Sequence, residues 1–289
     1  MTHGGFLVQV ATSDGIYLHG YYSPAENKKA CVLHIHGFDG NFYQDDYINV
    51  LEQELGKSGI GFLTVNTRGC GKNTSFKTIE GRYRRIGTRY ELLEDAHLDI
   101  TAWVKFLIED STEEIILAGH SLGTMKVVRY LFEGELKDRI TRLILLAPFD
   151  KKGLIAPILN KDMDALRSIA DKISDTGGGP KTRSSGFGPV STKTFLSWYR
   201  QDDLGRMFEF CNEDYDFPIL EQIKVPTLIV VGSKDEFFHL SNPDHPEEAM
   251  SILLKHISNS RGKIIENSDH AFRSYENAMA REVAEFLNS

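Results

Sequence analysis

The sequence predicts an α/β protein built on a mainly parallel, doubly wound sheet, and three observations predict it. Short apolar runs ending in Gly, Pro or polar residues recur along the chain, as strands buried on both faces require. Segments of helical period lie between them. The 289 residues, 41% of them hydrophobic, suffice for one sizeable core.

The first runs, FLVQVAT and IYLHGYYSP, alternate about Ser13, Asp14 and Gly15, and the Asp-Gly pair favours a tight hairpin turn. The chain is therefore expected to open with antiparallel strands. The strands ACVLHIHG, IGFLTVNTRG, EIILAGHS and RLILLAPFD follow, separated by the helical segments YINVLEQELGKSG, LLEDAHLDITAWVKFLIED and MKVVRYLFEGEL. After an interruption the same rhythm resumes with PTLIVVGSKD, PEEAMSILLKHISNS, KIIENSDH and YENAMAREVAEFLNS. Right-handed crossovers then place helices on both faces of the sheet.

The interruption spans residues 150–223. It holds the helical pieces DMDALRSIADKI and KTFLSWYRQ and the Gly/Ser/Pro-rich stretch TGGGPKTRSSGFGPVSTKT. In an open α/β sheet the loops at the carboxyl ends of the strands line the ligand crevice, and this insertion leaves from such an end. The expected organisation is a core of residues 1–149 and 224–289 with a helical lid of residues 150–223. The lid aromatics Phe187, Phe195, Trp198, Tyr199, Phe208 and Phe210 either line a pocket or form the lid's own core.

Composition narrows the function. A net charge of −8 and a pI near 5.7 argue against general affinity for nucleic acid or an anionic membrane. The amino-terminal MTHGGFLVQVATSDG has neither a basic segment nor a long apolar core, so a cytoplasmic protein is expected. Three scattered cysteines, Cys31, Cys70 and Cys211, suggest neither a disulfide framework nor a zinc site, and no cofactor or metal is expected. One local exception is residues 72–89, where Lys72, Lys77, Arg82, Arg84, Arg85 and Arg89 face Glu80 alone. Such a segment is either a solvated basic loop or a site that attracts an anionic acyl group, a carrier or coenzyme A.

The chemistry resides in IILAGHSLG. A strand turning sharply into a helix at G-x-S-x-G holds its serine on a strained elbow, and Gly119, Ser121 and Gly123 fit that pattern. A serine hydroxyl needs a base to take its proton and a group to orient that base. Asp235 ends one downstream strand and His270 the next, in the order Ser121, Asp235, His270. Glu236 and Asp150 are alternative acids. His34, His36 and His120 lie at strand ends or beside the elbow. HGFDG supplies a glycine-bearing turn from which the Phe38 N–H, together with that of Leu122, can serve a developing oxyanion.

Together GHSLG, HGFDG, the Asp of VGSKD and the His of NSDHAF resemble the α/β-hydrolase superfamily over roughly residues 6–288. HGFDGN and NTRGCG are similar to loops of small bacterial carboxylesterases, including feruloyl-esterase-like enzymes. The resemblance implies an α/β-hydrolase fold with Ser121 as nucleophile, His270 as base, Asp235 as acid, and Phe38 and Leu122 as oxyanion-hole donors. It also implies a serine hydrolase acting on a small-molecule ester or thioester. Acyl thioester hydrolysis, acyl transfer and a non-catalytic ligand-binding scaffold are the alternatives.

Overall fold

The computed structural model describes residues 4–151, 153, 182–184, 189–200, 202–210, 212, 214–238 and 245–289. In chain order the first half forms β1 (Phe6–Ala11), β2 (Tyr17–Ser23), β3 (Ala30–Ile35), α1 (Tyr47–Lys57), β4 (Gly61–Val65), β5 (Ser75–Lys77), β6 (Tyr83–Arg85), α2 (Ala96–Glu109), β7 (Glu114–His120), α3 (Leu122–Glu133) and β8 (Ile140–Leu146). There follow β9 (Thr182–Ser184), β10 (Pro189–Ser191), α4 (Thr192–Trp198), α5 (Asp203–Arg206) and α6 (Pro218–Glu221). The chain closes with β11 (Thr227–Gly232), α7 (Pro246–His256), β12 (Ser260–Ile265) and α8 (Glu276–Leu287).

The opening hairpin forms as its turn residues predict. Gly15 takes a φ of +83°, which favours glycine, and its N–H donates to the Thr12 carbonyl at 2.9 Å. β1 pairs antiparallel with β2, and β2 with β4. Every later neighbour in the eight-stranded sheet, ordered β1-β2-β4-β3-β7-β8-β11-β12, is parallel.

Alternation along the strands explains why they read as unbroken apolar runs. Val32, Phe62, Ile116, Ile144 and Val230 pack on one face against α1 and α8, where Leu51, Leu55, Met279 and Val283 are buried. Their strand neighbours Leu33, Leu63, Leu117, Leu145 and Ile229 pack on the other face with Trp103 of α2, Val127 of α3 and Leu253 of α7. Successive side chains point to opposite faces, and both faces are covered, so neither parity is free to be polar. Each such side chain contributes about 1.5–3 kcal/mol through burial. The sheet is thus doubly wound, as expected.

Between β8 and β11, β9 and β10 pair antiparallel and the short helices α4, α5 and α6 follow. The side chains of Phe195, Trp198, Tyr199, Phe208 and Phe210 are buried in the same hydrophobic cluster as the α2–α3 face of the sheet. DMDALRSIADKI, Phe187 and Cys211 lie outside the described residues. Among the described residues no helix is long and apolar enough to cross a membrane.

Candidate active site

The carboxyl ends of β3, β7, β8, β11 and β12 bring the predicted residues to one edge of the sheet. Ser121 stands between β7 and α3 with φ +53° and ψ −123°, a conformation that side chains rarely adopt. Close packing around the elbow explains its two glycines. A Cβ on Gly119 would lie 2.5 Å from the Gly123 carbonyl oxygen, and one on Gly123 would lie 2.3 Å from that of Ile35. The Ser121 N–H donates to the Leu146 carbonyl at 2.9 Å, tying the elbow to the end of β8.

His270 follows β12 and reaches the serine: its Nε2 lies 2.8 Å from Ser121 Oγ. Its Nδ1 lies 2.8 and 2.9 Å from the two carboxylate oxygens of Asp235, just beyond β11. The Asp235 side chain is fully buried, and its Oδ1 also accepts the N–H groups of Phe237 at 2.9 Å and Phe238 at 3.2 Å. The end of β11 approaches the His270 loop so closely that a Cβ on Gly232 would fall 2.2 Å from the Ser268 carbonyl oxygen. Phe237 and Phe149 wall the imidazole, with ring centroids 4.6 and 6.1 Å away. Of the alternative acids, Asp150 Oδ1 accepts the Gly153 N–H at 2.9 Å, and Glu236 is exposed.

The turn after β3 lies against the serine. A Cβ on Gly37 would sit 2.8 Å from Ser121 Cβ and 3.4 Å from its Oγ. Phe38, next in the chain, stacks edge-on against Trp198 at 5.5 Å. Leu122 opens α3, where N–H groups of the first turn have no acceptor within the helix.

Three histidines near the site are buried and held neutral. Burial lowers His34 to about 3 and His120 to about 4, and it lowers His36 well below the ordinary histidine value. His34 bridges Thr64 and Tyr47. His120 lies 2.9 Å from the His270 carbonyl oxygen, an acceptor, so its Nε2 carries a proton and donates it there. His36 accepts the Thr67 N–H at Nε2, 3.1 Å away, so its Nδ1 carries the proton and donates to the Gly37 carbonyl at 2.8 Å.

Sequence reading missed a buried polar layer beneath these groups. Lys126 in α3 donates to Glu91 at 2.7 Å and to the Thr67 hydroxyl at 3.2 Å. Arg68 is clamped by Asp99, with reach to Asp14 and Asp95. Burial lowers Lys151 to about 8, and its ammonium donates to the Trp198 carbonyl. No motif marks these charges; an ammonium set between the apolar Met125 and Val127 of α3 is the one faint signal.

The basic stretch at 72–89 forms the exposed β5–β6 hairpin and its flanks. Lys72 pairs with Asp39 at 3.3 Å, Arg84 with Asp14 at 2.9 Å, and Arg82 with Glu80. Among the described residues, three of its six cations are thus seen paired. Among the described residues no cluster of three or more His, Cys, Asp or Glu side chains is placed to hold a metal ion.

Comparison with known proteins agrees with the architecture. A model of the alpha/beta hydrolase family matches residues 32–286. Among solved structures, Est1E from Butyrivibrio proteoclasticus with bound ferulic acid superposes with a TM-score of 0.65 at 21% identity, covering 97% of this chain and 98% of its own. The Pyrococcus furiosus esterase Pf2001 gives a TM-score of 0.60 at 18% identity over 99% of this chain and 91% of that one. The esterase EaEST from Exiguobacterium antarcticum gives 0.60 at 19% identity, over 98% and 99%. At these identities the likeness is one of fold. No curated protein sequence matches this chain.

Proposed function

Because the chain belongs to the alpha/beta hydrolase family, we propose that it is a serine esterase that cleaves a small carboxylic ester through an acyl-enzyme. The observation that carries this reading is the single imidazole, His270, spanning Ser121 and Asp235 at hydrogen-bond distance on both sides. With Nδ1–H donated to Asp235, Nε2 is free to take the serine proton.

In that reaction Ser121 Oγ loses its proton to His270 Nε2 and bonds to the ester carbonyl carbon. The carbonyl oxygen gains the negative charge, and the N–H groups of Phe38 and Leu122 stabilise it. Collapse breaks the bond to the alcohol oxygen, which leaves with the proton from His270. Water then repeats the sequence on the acyl-enzyme, its proton passing to His270 and on to Ser121, and the carboxylic acid departs. Asp235 keeps the imidazole in the useful tautomer and stabilises its charged form. The insertion at residues 150–223 is read as a cap; in support, in its described part, Trp198 packs on Phe38 and the Lys151 ammonium donates to the Trp198 carbonyl at the end of α4.

The bound ferulic acid of Est1E makes hydroxycinnamate esters a reasonable inclusion among the first substrates. The test is kcat/KM over aryl esters of increasing acyl length, methyl hydroxycinnamates and acyl-coenzyme A thioesters, with Ser121→Ala as the blank. Serine-dependent turnover with an optimum among the oxygen esters is expected. Full activity in Ser121→Ala overturns the nucleophile assignment, and a preference for the thioesters moves the substrate class.

A further inference from the structure

We propose that Lys126, held by Glu91, is a positioning residue that sets the oxyanion turn through Thr67 and His36. The inference rests on the reading of the Phe38 N–H as an oxyanion donor.

Lys126 lies in the second turn of α3, five residues beyond Ser121, and its side chain is fully buried. An ammonium taken out of water costs several kcal/mol unless it is matched, and Glu91, itself buried, matches it at 2.7 Å. The match is incomplete as a structural element. Glu91 Oε1 is buried with no hydrogen-bond partner among the described residues, and burial raises the Glu91 pKa even against the opposing Lys126 charge. An apolar pair of similar volume is often as stable or more so. Stability alone therefore does not account for these two charges.

Direction does. Lys126 can only donate, so at 3.2 Å it occupies an acceptor site on Thr67 Oγ1 and turns the hydroxyl proton away from itself. His36 Nε2 lies 3.1 Å from that hydroxyl and 3.1 Å from the Thr67 N–H, and it accepts from both. An Nε2 with two donors aimed at it stays unprotonated. The proton therefore resides on Nδ1, which donates to the Gly37 carbonyl at 2.8 Å. In a trans peptide the C=O and the following N–H point in opposite directions. Pinning the Gly37 oxygen thus fixes the Phe38 N–H on the far side of the same peptide, in a turn that touches Ser121.

Charge reinforces this. Burial does most to keep a second proton off His36 and the Lys126 ammonium from α3 adds to it; His34 of β3 and His120 of β7, the other titratable groups facing the ring, are neutral, and the Gly37 carbonyl acts in the opposite sense. Without the ammonium the Thr67 hydroxyl is free to turn its proton away from His36, and one of the causes that keep a second proton off the ring is gone. A ring that carries its proton on Nε2 instead meets the Thr67 N–H and turns a bare Nδ1 toward the Gly37 carbonyl, and that hydrogen bond is lost. The strut extends further: two residues before Glu91, the Arg89 carbonyl accepts the Ser191 N–H at 2.8 Å and the Thr194 hydroxyl at 3.0 Å, at the start of α4.

The experiment uses an alkyl fluorophosphonate, whose phosphoryl oxygen must occupy the oxyanion site as Ser121 is phosphonylated and fluoride leaves. The double variant Lys126→Met/Glu91→Leu removes both charges without stranding either. We expect its melting temperature to stay at or above that of the wild type, its reversible affinity for the reagent to be unchanged, and its phosphonylation rate constant to fall about 10- to 100-fold. Wild-type rates in a folded double variant overturn the proposal and leave the pair a packing feature. Independently of whether the variant folds, ¹⁵N spectra of the wild type should show His36 protonated at Nδ1 and bare at Nε2 from pH 5 to 8. The opposite tautomer, or an ordinary titration, overturns it as well. A wild type that the reagent fails to label overturns the serine reading itself, and this inference with it.

Discussion

His270 Nδ1 lies 2.8 and 2.9 Å from the two oxygens of a fully buried Asp235 carboxylate. A carboxylate can only accept here, so the ring presents an unprotonated Nε2 to Ser121, 2.8 Å away. Asparagine keeps the shape but can offer an amide proton to Nδ1, which traps the ring with its proton on the wrong nitrogen. Asp235→Asn is therefore expected to lower kcat by about 10⁴, as in a serine triad of known behaviour. Steady-state kinetics on the best ester checks it. A near-normal rate there, with loss in Asp150→Asn, would move the acid to the end of β8.

Gly37 offers a second handle. A methyl group there meets Ser121 Cβ at 2.8 Å and the His120 carbonyl oxygen at 3.1 Å, and neither atom is the loose end of a side chain. The turn must retreat from the elbow. Gly37→Ala is expected to lower kcat on the order of 10²-fold, the cost of a lost oxyanion donor, with little change in melting temperature. Gly123→Ala provides the contrast, since its methyl collides with the Ile35 carbonyl inside the sheet and folded protein should be lost. Unchanged kcat in Gly37→Ala would separate this turn from the chemistry.

Much of this was legible in the sequence for identifiable reasons. The parallel strands read clearly because both faces are buried, so Ile116 and Leu117 are both apolar although they point opposite ways. The hairpin read clearly because its turn is local. Ser121, Asp235 and His270 were legible from the elbow pattern and chain order, and the fold brings them together. Pairings across the chain were not. Lys126 and Glu91 are 35 residues apart, and Arg84 meets Asp14 from 70 residues away. Periodicity assigns such charges to solvent, because nothing in one sequence announces the partner. For the same reason the cations at 72–89 read as one basic patch although three of them are matched internally. His34, His36 and His120 looked like strand-end residues; their partners are Thr64, Thr67 and the His270 carbonyl.

Arg68 tests how far the fold depends on such a hidden pairing. Its Nε and Nη2 reach Asp99 Oδ1 at 3.0 and 2.8 Å, while its own backbone N–H donates to Asp99 Oδ2 at 2.7 Å. Both side chains are buried, and Asp14 and Asp95 stand nearer solvent. Asp99→Ala strands the guanidinium and a backbone donor together, so a loss of about 3–5 kcal/mol in unfolding free energy is expected. Urea titration near neutral pH measures it. A loss under about 1 kcal/mol would mean that Asp14 and Asp95 carry the arginine alone.

The buried histidines set the response to acid. His34 and His120 are lowered by burial from 6.5 to about 3 and about 4, so between those values and 6.5 the unfolded chain binds protons that the folded chain refuses. Stability rises with pH wherever the unfolded state holds more protons. Their contribution is therefore complete above about pH 6.5 and is lost progressively as pH falls toward 4. Glu91 and Asp99, raised by burial, act in the opposite sense at the acid end and blunt the fall there. Replacing His120 with Gln removes one of the excluded protons while leaving an amide to donate to the His270 carbonyl. The wild type should lose on the order of 1–2 kcal/mol more than His120→Gln between pH 7 and pH 5, read from urea midpoints at the two values. Equal losses in the two proteins would mean that His120 takes up its proton in the folded state, and the hydrogen bond that holds the His270 loop against the elbow would then have to survive a charged ring.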